Sequence, residues 1–163
     1  MILGGVPNYG EDIPGNDPNR TAFNYDVRLN FDTSFTGKDL TLSATLTAGS
    51  SVTIANTGIF TTAAVADVSA SGAFSQNGSG ENKLAGDIST SNANISFSQK
   101  VTLTGGVSFA SSGGSITFLS TVDGDGVQAR AITLSSGSGN VTFTDKVGDT
   151  VSLGSITVNS AGT

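Results

Sequence analysis

From Phe23 onward the chain alternates: Phe23, Tyr25, Val27, Leu29 and Phe31 fall on one side of an extended backbone, Asn24, Asp26, Arg28, Asn30 and Asp32 on the other. This period of two predicts a single strand over 23–31 with one apolar face. After about Leu40 the pattern shortens to triads of aliphatic, polar and aliphatic or aromatic residues, set between clusters of Gly, Ser, Asn and Asp. Ile95-Ser96-Phe97 followed by Val101, Ile116-Thr117-Phe118 followed by Val122, and Val141-Thr142-Phe143 followed by Val147 share one frame. A second series interleaves with it: Val107-Ser108-Phe109, Ile132-Thr133-Leu134 and Ile156-Thr157-Val158. The first series advances by 21 then 25 residues, the second by 25 then 24. Ahead of both, residues 1–21 gather Pro7, Pro14 and Pro18 among Asn, Gly and Asp and read as a turn-rich loop.

A repeat in the low twenties built from short strands is the sequence form of a parallel β-solenoid, one period to a coil. Stacked coils bury their inward residues on one another, so Ile116 should lie beside Val141, Ile132 beside Ile156, and Phe97, Phe118 and Phe143 in one column. No proline occurs after Pro18, as expected where each strand is hydrogen-bonded on both sides. The fold expected is all-β: a parallel β-solenoid (β-helix) of about five coils, with a proline-rich N-terminal head and one amphipathic strand. The alternative is an antiparallel β-sandwich, which also needs many short strands but does not account for the interleaving.

Two stretches resemble known families. The run from Phe23-Asn24-Tyr25-Asp26-Val27-Arg28-Leu29 through Phe35-Thr36-Gly37-Lys38-Asp39-Leu40 resembles a strand and turn of cyanobacterial outer-membrane porins. That likeness sets off 1–41 as an N-terminal loop and strand, and 42–163 as the repeat domain. In the repeat domain, Phe74-Ser75-Gln76-Asn77-Gly78-Ser79-Gly80, Leu84-Ala85-Gly86-Asp87-Ile88, Asn92-Ala93-Asn94-Ile95-Ser96-Phe97 and Gly139-Asn140-Val141-Thr142-Phe143 resemble repeats of filamentous-haemagglutinin-like bacterial surface adhesins. This second resemblance implies a right-handed β-helix displayed outside the cell, without enzymatic activity. A member of that class runs on for many more coils, so the chain reads as a fragment, a fusion or a composed sequence.

Composition narrows the chemistry. In 163 residues there is neither Cys nor His, which removes thiol nucleophiles, disulfides, imidazole bases and the usual zinc ligands. The net charge of -6 disfavours phosphate backbones, and no nucleic-acid partner is expected. Ser and Thr together number 44 and Gly 22, against two Glu, a composition that supports strands and turns better than helices. No apolar run reaches the ~18 residues of a membrane helix, so no integral span is expected.

Among the acids, Asp123-Gly124-Asp125-Gly126 sets two carboxylates in a turn, which is half of a calcium loop. Val127, Gln128, Ala129 and the cationic Arg130 follow where further oxygen ligands would be needed, and an ordinary turn is the simpler reading. Asp145, Lys146 and Asp149 lie in the matching linker of the next repeat, where they would extend a solvated acidic edge. A carbohydrate-active ensemble would have to draw on Asp123, Asp125, Arg130 and Lys100, with Glu81 the one Glu of the repeat region; no tight spacing joins them. No residue is therefore assigned to catalysis, to a cofactor or to a metal. The function expected is a structural or adhesive segment of an exported bacterial surface protein, extracellular or at the cell surface, with an unidentified host or surface receptor. Copies are expected to associate, as an oligomer or filament, through the solenoid ends and the Phe23 to Phe31 strand. Alternatives are a porin-like channel segment of the outer membrane and a fibre subunit assembling by strand addition.

Overall fold

The structure, a computed structural model, describes residues 20–162, in which 19 strands and no helix occur. In chain order these are β1 (Arg20–Phe23), β2 (Val27–Leu29), β3 (Thr33–Gly37), β4 (Asp39–Leu42), β5 (Leu46–Ala48), β6 (Val52–Asn56), β7 (Phe60–Thr62), β8 (Val68–Ala70), β9 (Phe74–Gln76) and β10 (Asn82–Leu84). They continue as β11 (Ile88–Thr90), β12 (Ile95–Phe97), β13 (Val101–Leu103), β14 (Val107–Ala110), β15 (Ile116–Phe118), β16 (Val122–Gly124), β17 (Ala131–Ser135), β18 (Val141–Phe143) and β19 (Ser155–Ser160). Every third strand joins the same sheet up to β18, giving sheet A (β1-β4-β7-β10-β13-β16), sheet B (β2-β5-β8-β11-β14-β17-β19) and sheet C (β3-β6-β9-β12-β15-β18). All the pairings are parallel, and the three sheets form the faces of a β-solenoid of about seven turns.

The two turns beyond the expected five lie at the N-terminal end, where 20–37 and 39–56 each complete a turn. The stretch expected as one strand over 23–31 is divided: Phe23 closes β1, Val27 to Leu29 form β2, and the backbone turns a corner at 24–26 and again at 30–32. Phe23 and Leu29 point into the core, 5% and 4% exposed, whereas Tyr25 and Phe31 sit on corners and face solvent. Alternating polarity is produced as well by two short strands on adjoining faces as by one long strand, because each corner returns the next apolar residue to the inside. Parallel pairing of β1 with β4, β2 with β5 and β3 with β6 makes residues 20–37 the first turn of the same solenoid. Of the loop expected over 1–21, residues 1–19 lie outside the described residues, and Arg20 and Thr21 belong to β1.

The expected register is present: Ile116 pairs with Val141, Ile132 with Ile156, and Phe97, Phe118 and Phe143 lie in one column. Their rings stack face to face, with centroids 5.5 Å apart between Phe97 and Phe118 and 5.0 Å between Phe118 and Phe143. Phe109 meets Phe97 and Phe118 edge-on from sheet B, at 5.6 and 5.3 Å. In β9, β12, β13 and β15 the outer two residues of the triad lie inside and the middle residue is half-exposed on the outer face. Partners along sheet B are offset by 19, 22, 20, 21, 25 and 24 residues. The longest offsets, 25 and 24, coincide with the long connections 125–130 before β17 and 144–154 before β19, so the extra residues fall in the corners.

Corners stack as closely as strands. At the corner between sheets C and A, a Cβ on Gly80 would lie 1.5 Å from the carbonyl oxygen of Gly58 in the turn before, so only glycine fits there. Replacement of Phe118 by Ala, which empties the middle of the aromatic stack, should lower stability by ~3 to 5 kcal/mol. Thr117→Ala, on the outer face of the same strand, should stay within ~0.5 kcal/mol; denaturant unfolding of both variants checks the contrast.

Candidate functional site

Of the charged residues singled out in the sequence, Asp123, Asp125, Arg130, Asp145, Lys146 and Asp149 lie on the last two turns, around β16, with Lys100 one turn earlier and Glu81 a turn before that. Asp123 occupies the middle, outward position of β16, in a column with Thr41, Thr61, Lys83 and Thr102. Its neighbours in that column are half-buried or exposed, yet Asp123 is 2% exposed. Burial comes from the segment 144–154 between β18 and β19, which folds over β16. Thr150 and Val151 donate their backbone N–H groups to Asp123 Oδ1 at 3.1 and 3.4 Å. Lys100 Nζ stands 3.8 Å from Asp123 Oδ2, too far for a hydrogen bond, and that oxygen is buried without a hydrogen-bond partner.

Asp125 turns to a different set of groups. Arg130 binds it with two hydrogen bonds, Nη2 to Oδ2 at 2.6 Å and Nε to Oδ1 at 3.1 Å. The N–H groups of Val127 and Gln128 donate to the same Oδ1 at 3.0 and 3.4 Å. Arg130 first, and then those two N–H groups, hold the Asp125 carboxyl down at about 2, against an ordinary value of 3.8. The guanidinium is raised in turn by Asp125. The loop Asp123 to Arg130 is thus closed by an arginine at the place where a calcium loop needs oxygen. Lys146 pairs with Asp149 at 3.0 Å on the surface. Among the described residues no three acids gather as a metal cluster would require. The carbohydrate-active ensemble separates into the pairs Lys100 with Asp123 and Arg130 with Asp125, and Glu81 is exposed on the corner one turn above Lys100.

Most of the other acids have a role that the sequence reading missed. At the corner between sheets A and B, Asp26, Asp67 and Asp87 each accept the N–H of a residue one turn on, those of Thr45, Asp87 and Ser108, at 3.1, 2.9 and 2.8 Å. Asp32 and Asn94 do the same for Ser51 and Ser115 at the corner between B and C, and Asp39 for Ile59 between C and A. Asp26, Asp67 and Asp87 immediately precede Val27, Val68 and Ile88, the residues that open β2, β8 and β11. An acid placed one residue before a triad was the available signal. Inside the corner between C and A, Gln76 Nε2 donates to the carbonyls of Gly80 and Gly78 at 2.9 and 3.2 Å and to Asn56 Oδ1 at 3.3 Å. This network satisfies a wide corner from within.

No family model, curated protein or solved structure matches the chain.

Since the folded carboxyl of Asp125 is depressed, its pairing stabilises the fold fully above the unfolded value of 3.8 and loses that effect as pH falls through about 2. Asp125→Asn should therefore melt below the native chain at neutral pH, the gap narrowing below about pH 4 and closing near pH 2; thermal melts across that range check the sign. Calcium should leave the native melting temperature unchanged, because Arg130 already engages both Asp125 oxygens. A rise of several degrees that disappears in the Asp123→Asn, Asp125→Asn double variant would reverse that assignment.

Proposed function

We propose that the chain is a non-catalytic structural or adhesive segment of an exported bacterial surface protein, and that copies of it associate. The adhesin-like wording of the repeat supports the surface and adhesive part. One observation carries the association: Ile156 and Val158 continue columns whose previous members, Ile132 and Leu134, are completely buried, yet they are 50% and 51% exposed. All six residues of β19 are exposed, none is charged, and among the described residues no strand pairs with its edge away from β17.

Of the two contact regions expected, the solenoid end at β19 is the one we assign. Phe23 and Leu29 are buried within the first turn, and the apolar surface this stretch presents is limited to Tyr25 and Phe31 on its corners. Association is therefore assigned to the β19 edge, where a second copy adds a strand and covers Ile156 and Val158. The acids support the non-catalytic part of the reading, since Asp26, Asp32, Asp39, Asp67 and Asp87 are engaged with backbone N–H groups and Asp125 with Arg130.

Sedimentation velocity and negative-stain microscopy at micromolar concentration test this reading. Particles several chains in size are expected, reverting to single chains in Ile156→Asp and in Val158→Asp. A native chain that is strictly monomeric and unaffected by either substitution would overturn the association.

A further inference from the structure

We infer that the segment 144–154 is a latched strap: closed, it covers the edge of β16 and keeps strand addition confined to β19, and open, it frees a second edge. The inference rests on the self-association proposed above and adds its regulation.

Sheet B ends in a strand, β19, whereas in sheet A the turn below β16 makes only an isolated bridge, Val122 with Val147, and forms no strand. The strap takes the hydrogen bonds that another strand would take. Val122 N–H donates to the Lys146 carbonyl at 3.1 Å, Gly148 N–H to the Val122 carbonyl at 2.8 Å, and Gly124 N–H to the Val151 carbonyl at 3.0 Å. These bonds alone would make it an ordinary edge cover. Asp123 makes it a latch, through the N–H groups of Thr150 and Val151 on its Oδ1.

The same carboxylate limits how firmly the latch holds. With the strap closed, a charge that would stand in water on an outward position is buried. One of its oxygens lacks a hydrogen bond, and Lys100 is 3.8 Å away. Burying an incompletely paired carboxylate costs free energy that the open strap recovers through hydration. Thr102 and Thr61 occupy the same column in earlier turns without such a penalty. The outer residues of the strap favour water in either state, since Asp145, Lys146, Asp149 and Thr150 are all exposed. The strap also packs Val147 and Leu153 against the core. Closure is thus favoured by apolar contact and the Thr150 and Val151 bonds and opposed by the buried carboxylate, an opposing cost that the strand pairings above it do not carry. In the open form β16 offers Val122 and Gly124 N–H groups to an incoming strand beside the β19 edge.

Two variants loosen the latch from opposite sides. Asp123→Ala removes the acceptor, and Thr150→Pro removes one of the donors while leaving β16 unchanged. Hydrogen exchange of the native chain and both variants reads the strap, sedimentation velocity reads association, and circular dichroism checks that each variant folds. The expected result is exchange about tenfold faster or more at the amides of 145–153, unchanged protection in β12 to β15, and association several-fold faster than in the native chain. Unchanged exchange across the strap in both variants would overturn the latch. Faster exchange with association at the native rate would overturn the gate and leave the β19 reading intact. Faster exchange in variants that remain single chains, alongside a native chain that is also single, would overturn the self-association and the gate with it.

Discussion

Everything in this molecule depends on one turn lying directly on the next at the spacing of a parallel sheet, ~4.8 Å. Each inward side chain is covered by the residues at the same position one turn above and below, and each strand finds hydrogen-bond partners only in other turns. No turn has a core of its own. The result is a set of columns, Ile95 with Ile116 and Val141 in one, Phe97 with Phe118 and Phe143 beside it, in which the fit at each level is set by the level before. Burial of Ile132 and Leu134, against exposure of Ile156 and Val158 below them, shows how far burial depends on the next layer.

Backbone at the corners faces a harder problem than backbone in the strands, since a turning chain cannot keep all of its ladder bonds. The chain meets it with short polar side chains that act between turns. Asp67 and Asp87 accept N–H groups from outside; Ser136 closes its corner on the Gly139 carbonyl at 2.7 Å; Gln76 works from inside. Such bonds explain how so many Ser, Thr, Asn and Asp fit a fold whose regular strands are mostly three residues long. Buried donors and acceptors without partners would be costly in so narrow a body, and among the described side chains only Asn82 Oδ1 and Asp123 Oδ2 remain so.

The parallel stack and its register were legible where the triads repeat with little variation, from Ile95 to Val158, because equal spacing of equal residues implies equal positions. Earlier turns were harder to read. Thr62 stands where Leu42 and Leu84 stand in adjacent turns, and Gln76 where Ile54 and Phe97 do, so the columns continue through residues that do not look like core. Thr62 belongs there because its hydroxyl accepts the N–H groups of Ala85 and Gly86, both at 3.1 Å. In the first turn the corners at 24–26 and 30–32 contain no Gly or Pro, and alternation without punctuation reads as a continuous strand. Around β16 the sequence brought the right acids to notice, but not their partners. Arg130 is only five residues from Asp125 and could be weighed as its neighbour; Thr150 and Val151 reach Asp123 through backbone N–H groups that no residue type reveals.

The direction of the ladders has a mechanical consequence. In a solenoid the hydrogen bonds between strands run along the long axis, so a pull on the two ends loads them end-on, a few at a time, as in opening a zipper. Turns would leave the stack in succession from whichever end is weaker, each releasing about 20 residues, or roughly 70 Å of extended chain. A rod tethered at one end and gripped at the other would yield by paying out length at a limited force. Where the aromatic rings of Phe97, Phe109 and Phe118 interlock across two faces, that yielding would meet its stiffest point.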